Sequence, residues 1–398
     1  MMKNLLCVMK YYLDTNEGPA FPKFDHQMAS LKRMGFDVYF LGILKNTIYL
    51  VHAEEKIKLV SFALKKIPIV NKLVLFNALY RAIITLVKRK LKFSYVYMRT
   101  MPAVPPYRKA LSLLKESGSS IIVEIPTYPP EYSHQKFGRF GYNTFFKISN
   151  KYETSGSQYV DLYALNGKYS DSYNDRPAIN FTNGIDADAC PVREYKPIDD
   201  HIHVLGIGKI QKAHGYDRFI NGLVEYYHLS GNPSRKVVFH VVGYDADGTL
   251  PKLQDLVRIN NLDQYVLFEG AKFGKDLEPY FSTCAVALAP LAISRTGFTT
   301  LSALKTKEFI SRGIPFIIAG DDPNLPRDKN WFLQLGDDET PINIENMIHF
   351  IDTTIGDKTI VQEMHRYAGL HLSWDMQFEK IFTTLDELID STRKGESV

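Results

Sequence analysis

Two doubly wound α/β domains are predicted, on three observations. The chain has 398 residues, more than one ordinary core organises and suited to two domains. Short apolar runs ending in Gly, Pro, Asn or Asp alternate with segments of helical period, twice over, the order of a parallel sheet covered on both faces. Between the two series lies a stretch at about 187–200, marked by Pro191 and Pro197, that reads as a linker. The boundaries expected are therefore 1–190 and 198–372.

Composition narrows the class. The chain is 45% hydrophobic and 23% charged, as in soluble globular proteins, and a net charge of +4 over this length gives no nucleic-acid signature. Cys7, Cys190 and Cys284 are widely spaced and form no C-x-x-C, so neither a disulfide framework nor a zinc site is expected; a reducing, cytoplasmic setting is. The apolar run at the N-terminus is too short for a signal peptide, and no stretch reaches the ~18–20 uninterrupted apolar residues of a membrane span.

In the first half, Lys3–Met9 reads as a strand and 14–23 as a loop containing Gly18. A helix follows over about Gln27–Met34, then a strand over Asp37–Leu44. The loop after the first strand lies at the carboxyl edge, where such sheets bind ligands, but holds no G-x-G-x-x-G. Residues 56–92 carry ten Lys or Arg and no acid, with apolar residues at helical spacing and Pro68 between two expected helices. A basic amphipathic helix suits an anionic membrane surface, and equally a solvated face of a domain helix. Strands are expected at Ser94–Arg99 and Ser120–Ile125, with a helix over Ala103–Glu116 between them. The second strand ends in Glu124-Ile-Pro-Thr127-Tyr128-Pro-Pro-Glu131, read as a stiff loop because proline does not extend a sheet. A helix over about Arg139–Thr154 and strands at Tyr159–Ala164 and Ala178–Phe181 complete the series, which closes in an Asn183-Gly184 turn.

The second series opens with a strand, His201–Gly208, that runs into Gly208-Lys209-Ile-Gln-Lys212-Ala-His214-Gly215 and a helix from about Asp217. Glycines and cations in a strand-to-helix loop make a phosphate site, though not at the P-loop spacing. The strand Lys236–Val242 ends at Gly243-Tyr244-Asp245-Ala-Asp247-Gly248, where the two aspartates read as a turn and cap more readily than as metal ligands. Strands at Tyr265–Glu269, before Gly270 and Lys272, and at Ala285–Pro290 follow. Then comes the stretch 295–318: loop residues from Arg295, a helix over about Leu301–Arg312, a Gly313 cap, Pro315 and an apolar strand. The helix start, Ser302 to Lys305 with Leu304, offers free N–H groups and a positive dipole end to a phosphate. Glu308 lies two turns in, where a carboxylate accepts hydrogen bonds from a ribose or sugar. Loop, helix and strand in this order also serve as a plain α/β element.

From Thr182 to Ile318 above all, and over nearly the whole chain, the sequence resembles the retaining glycosyltransferases of family four, which have the GT-B fold. Asn183-Gly-Ile-Asp186 is similar to the family's Asn-Gly-Val-Asp turn. Gly208-Lys209 through Gly215 resembles its Gly-Arg…Lys-Gly loop, with Lys209 at the usual Arg and His214 at the usual Lys. Val241-Val-Gly243 and Leu267-Phe-Glu-Gly270 resemble two further strand ends, and Glu308…Gly313-Ile-Pro315 the second half of the Glu-x7-Glu signature. Ser373-Trp374 resembles the start of the helix, here 374–391, that returns to the first domain. The sequence departs at Thr300, where the family has its first glutamate, and at Glu124-Ile-Pro, where the family has His-Asp.

The resemblance implies two Rossmann-like domains facing across a cleft. It also implies transfer of a hexosyl group, with retention, from a nucleoside diphosphate sugar to a carbohydrate or lipid-linked acceptor in surface polysaccharide assembly. Lys209, Lys212 and Glu308 take the catalytic part. Gly208, His214, Gly243, Tyr244, Lys272, Arg295, Thr300, Ser302, Leu304 and Lys305 face the donor; Gly18, Glu124, Thr127 and Tyr128 face the acceptor. No cofactor or divalent metal is expected if side-chain cations balance the diphosphate, and the inner membrane face is the setting, touched through residues 56–92. Two other readings stay open: a GT-B epimerase or phosphorylase, and a partner protein that keeps the fold without the chemistry, which Thr300 favours.

Overall fold

The computed structural model describes residues 3–14, 21–64, 68–129, 139–194, 200–229, 233–298, 302–355 and 359–395. The chain divides into two compact units, 1–182 with 374–398, and 183–373.

The first unit runs β1 (Lys3–Tyr12), α1 (Phe21–Arg33), β2 (Phe36–Leu44), β3 (Thr47–His52), β4 (Glu55–Ser61), α2 (Pro68–Lys88), β5 (Tyr95–Arg99), α3 (Pro106–Glu116), β6 (Ser120–Tyr128), α4 (Arg139–Ser157), β7 (Leu162–Gly167), β8 (Ser172–Tyr173) and β9 (Arg176–Asn180). Its nine-stranded sheet has the order β4-β3-β2-β1-β5-β6-β7-β9-β8, parallel from β2 to β9. Strands buried on both faces read as nearly continuous apolar runs, such as Leu5 to Met9 in β1. One face of the sheet packs on α2 and α3 through Leu79, Ile83, Leu111 and Leu114. The other packs on α1 and on the last helix of the chain, through Phe24, Leu31, Trp374, Phe378 and Phe382.

Three expectations fail here. Residues 55–61 form an edge strand, not a helix: β3 and β4 are an antiparallel hairpin, with Lys56 and Lys58 exposed on the outermost strand. Alternation of Lys with Ile and Leu is the period of a strand, and charges on an edge discourage further pairing. Pro68 therefore opens α2 rather than separating two helices. By length and composition α2 is apolar enough to cross a membrane, yet its apolar surface is used in the core, where Leu79, Tyr80, Ala82, Ile83 and Leu86 are buried. Finally, β6 continues through Pro126 to Tyr128, which pairs with Gly167 after a register shift beyond Ile125. The proline sits at that irregularity, where a missing N–H disturbs no regular ladder.

The second unit runs β10 (His201–Ile210), α5 (Tyr216–Val224), β11 (Lys236–Asp245), α6 (Thr249–Ile259), β12 (Val266–Gly270), α7 (Glu278–Thr283), β13 (Val286–Leu288), α8 (Leu304–Arg312), β14 (Phe316–Ala319), β15 (Phe332–Leu335), α9 (Ile344–Ile355) and α10 (Ile360–His371). The last helix, α11 (Trp374–Gly395), belongs to the first unit. The six strands are all parallel, in the order β12-β11-β10-β13-β14-β15. Numbered within the unit this is 3-2-1-4-5-6, the doubly wound order whose switch point lies between the first and fourth strands. Two apolar clusters cover its faces, one under α5, α6 and α9 and one under α8 and α10.

The boundary lies at 182/183 rather than in the expected 187–200 linker. Ile185, Ala187 and Cys190 are buried against Phe309, Ile310, Val361 and Ala368 of the second unit, and apolar residues packed in a core do not act as a hinge. The Asn183 carbonyl also accepts a hydrogen bond from the buried Lys307 amine.

Candidate functional site

In an open parallel sheet, ligands sit beyond the carboxyl ends of the strands at the switch point, where the two neighbouring loops turn apart. In the second unit these loops follow β10 and β13, and the chain holds them together closely. A short 3₁₀ turn, Lys212–His214, follows β10. The N–H groups of Leu291 and Ala292, beyond β13, donate to the carbonyls of His214 (3.2 Å) and Ala213 (3.1 Å). Gly215, at φ +62°, lets the two loops touch: a Cβ there would lie 2.8 Å from Leu291 Cβ. Gly243 has the same office between β10 and β11, since a Cβ on it would fall 1.9 Å from the Gly208 carbonyl oxygen. Gly243 is therefore a packing requirement of the strand ends.

Arg295 is not aimed at a ligand. Its guanidinium donates to Asp217 (2.8 and 2.7 Å), to Glu339 (2.9 Å, with a second, shorter contact) and to the Lys212 carbonyl (3.1 Å). These hydrogen bonds, to Glu339 first, hold its pKa above the ordinary arginine value. Arg295 is a clamp that fixes the two loops, a correction to its expected place on the donor. Asp247 fixes the first loop from the other side, accepting from the Lys212 N–H (3.2 Å). Asp245 accepts from the N–H groups of Gly248 (2.9 Å) and Leu250 (3.0 Å), the cap at the start of α6.

With the loops fixed, Lys209 and Lys212 are exposed. Lys305, from the first turn of α8, brings its amine to 3.1 Å from His214 Nε2. Burial pushes the Lys305 pKa down to about 7. His214 is pushed well below the usual imidazole range by burial, then by the charge of Lys305, so its ring is neutral. Ala303 makes no side-chain cap at the helix start, and a first turn leaves N–H groups without a partner inside the helix. Leu304 is 38% exposed beside them, and Ser302 Oγ accepts from Asn324, which also binds Asp322. Glu308 is half-buried, one oxygen 3.1 Å from Arg312 Nε. Arg312 in turn forks onto Glu278 at 2.8 and 2.9 Å. Tyr244, at the end of β11, is exposed and Lys272, after β12, partly so. Thr300 lies outside the described residues.

In the first unit the expected acceptor residues behave differently. Gly18 lies outside the described residues. Glu124 is fully buried and surrounded by donors: Tyr97 Oη at 2.6 Å, Arg99 at 2.9 Å, Lys23 at 3.0 Å and Gln27 at 3.1 Å. Burial pushes its pKa up, but the charges of Lys23 and Arg99 and the Tyr97 hydroxyl outweigh this and hold it at about 2. Lys23, 5.2 Å from the Trp374 ring, is pulled below the ordinary lysine value by burial, which its attraction to Glu124 does not fully offset. One carboxylate serves two cations, so Lys23 is the strained partner. Glu124 is an internal hub tying β5, β6 and α1, not an acceptor-facing group. Tyr128 packs its ring edge-on against Tyr173 at 5.7 Å, on the core side, and Thr127 beside it is half-buried.

No known family matches the sequence, and no curated protein does. Solved structures do. The chain is similar to Alr3699/HepE from Anabaena, solved in complex with UDP, at a TM-score of 0.55 and 14% identity over 97% of this chain and 100% of that one. It is similar to the catalytic domain of starch synthase IV from Arabidopsis thaliana, bound to ADP and acarbose, at 0.61 and 10%, covering 97% and 99%. The fold is GT-B. The trehalose-6-phosphate synthase OtsA gives 0.60 and 10% over 96% and 99%. These neighbours share the fold over nearly the whole of both chains at 10–14% identity.

Proposed function

We propose that the protein is a glycosyltransferase that moves a hexosyl group from a nucleoside diphosphate sugar to a carbohydrate or lipid-linked acceptor, with retention. The observation that carries this reading is the contact of Lys305, at the start of α8, with His214, in the strand-to-loop segment after β10 that also carries the exposed Lys209 and Lys212, at the switch point of the second unit. As the bond to the sugar breaks, negative charge grows on the leaving diphosphate. Fixed cations and N–H groups stabilise that charge without reorganising. Glu308 would accept from the ribose, the ends of β11 and β12 at Tyr244 and Lys272 would frame the base, and the family-four pattern on these residues supports retention. UDP and ADP in the structures named above make uridine and adenosine diphosphates the first donors to try.

The setting proposed is polysaccharide assembly at the inner face of a membrane. The basic residues of 56–92 support it in a changed form. Lys56, Lys58, Lys72, Arg81, Lys88, Arg89, Lys90 and Lys92 are exposed, while the apolar face of α2 is buried, so the contact would be electrostatic and not an inserted helix.

Thermal shift with UDP, ADP and GDP, followed by hydrolysis of the matching nucleotide sugars, tests the donor reading. A shift with at least one nucleotide, and slow sugar release that an acceptor accelerates, are expected. Conversion of a nucleotide sugar without any acceptor would point to an epimerase, and no shift with any nucleotide would sink the donor assignment.

A further inference from the structure

Lys305 is half-buried and has no acid partner among the described residues. Its amine meets His214 Nε2 at 3.1 Å and the Tyr216 ring at 5.8 Å, and no described carboxylate forms a salt bridge with it. His214 is 95% buried, and its Nδ1 has no partner. With Nε2 accepting from the Lys305 amine, the ring proton sits on Nδ1, where no acceptor meets it. A buried imidazole and a half-buried amine are thus under-satisfied at one point, which folding alone does not favour.

The surroundings make this pair sensitive to an anion. In the same loop Lys209 and Lys212 add positive charge. Asp217 and Glu339 are already engaged by Arg295, and Glu308 by Arg312. From α10, which packs along α8, His365 faces the Ser311 carbonyl and Glu363 faces Lys329. Asp322, tied through Asn324 to Ser302, is buried with one oxygen unpartnered, but the lysine it interacts with is Lys307; among the described residues no carboxylate pairs with Lys305.

We propose that the diphosphate of the donor draws a proton onto Lys305, so that nucleotide binding takes up a proton from solvent and weakens as pH rises above neutrality. This rests on the donor reading above. The step is a protonation alone: solvent supplies the proton, the neutral amine becomes an ammonium, and no bond in the nucleotide breaks. His214 keeps the amine in place through Nε2, and the cation missing from the loop at His214 is delivered from α8 instead. Burial that leaves the empty-state amine with a pKa of about 7 is in keeping with this. The sign follows. Below that value the amine is already charged and binding costs no proton; above it, each bound diphosphate must bring one.

The test is calorimetric titration of UDP, and separately ADP, into the full chain at pH 8 in Tris and in HEPES, whose heats of ionisation differ. At that pH the nucleotide's terminal phosphate is already ionised, since its last pKa is about 6. The expected result is uptake approaching about one proton per nucleotide, given a free amine that is mostly neutral. Lys305→Arg, permanently charged, should bind with the same heat in both buffers. Lys305→Met should lose the uptake and bind at least about tenfold more weakly. Wild-type binding with equal heats in the two buffers, or uptake that survives in Lys305→Met, overturns the proposal and leaves the donor reading intact. Failure of the wild type to bind either nucleotide overturns both.

Discussion

Each unit holds an ionisable group near the carboxyl edge of its parallel sheet, a fully buried Glu124 in the first and a half-buried Lys305 in the second, and the two are opposite in kind. Glu124 in the first unit has four donors within 3.1 Å and no unmet need. Lys305 in the second has a neutral histidine and an aromatic ring, with an orphaned nitrogen beside it. An ionisable group that is fully partnered holds a fold together, and one left short of partners is poised for a ligand.

The largest expected effect tests the first half of this contrast. Glu124→Gln leaves Lys23 and Arg99 facing each other without a counter-charge and should cost about 3–5 kcal/mol, the range for removing one partner of a buried pair. Lys23→Met should cost clearly less, because Arg99 still compensates the carboxylate. Urea denaturation of both variants measures this. Equal stability with lost acceptor turnover in Glu124→Gln would return Glu124 to the acceptor site.

Acid gives the same contrast without mutation. The Glu124 carboxyl is held down at about 2 against an ordinary value of 4.5. Its contribution is present above pH 4.5 and is lost as pH falls towards 2. Unfolding followed by circular dichroism should therefore show the wild type losing stability across that window, with Glu124→Gln much flatter there. Parallel acid profiles would remove Glu124 as the source.

Smaller effects belong to the second unit. Lys209→Ala and Lys212→Ala should each weaken UDP or ADP binding by about 1.5–3 kcal/mol, the value of a charge-assisted contact, with little change in melting temperature. Normal binding by both variants would remove the loop after β10 from the site. Glu308→Gln should reduce nucleotide affinity by about 1–3 kcal/mol. Its i,i+4 pair with Arg312 is worth only about 0.3–0.5 kcal/mol to the fold. Unchanged affinity would leave Glu308 as a partner of Arg312 and nothing more. Smallest of all, EDTA should leave turnover unaltered; loss restored by Mg²⁺ would recast Asp245 and Asp247 as ligands instead of cap and loop anchor.

The fold was legible because its signals are local. Gly270 closes β12, Gly208, Gly243 and Pro290 each fall within two residues of a strand end, and two β-loop-α series name a doubly wound architecture. The strand β4 is not distinguishable from a helix in sequence, because Lys56, Ile57 and Lys58 in a run of apolar residues satisfy a helical template as well as a strand's. The Glu124 hub was invisible for another reason. Its partners Lys23 and Gln27 lie 101 and 97 positions away, and no spacing rule links them. The same holds for Lys305 and His214, 91 positions apart. Sequence placed both near a phosphate, but only the fold puts the amine on the ring. Arg295 stood in the right stretch and was given the wrong task, since only tertiary structure reveals that Asp217 and Glu339 already occupy it.

A crystal structure of the full chain with UDP tests the central claim most directly, that the second unit's switch point is the diphosphate site. The account predicts phosphate oxygens within about 3 Å of Lys305 Nζ and of the N–H groups at the start of α8, bracketed by Lys209 and Lys212. A nucleotide bound elsewhere, with the Lys305–His214 contact untouched, would contradict it.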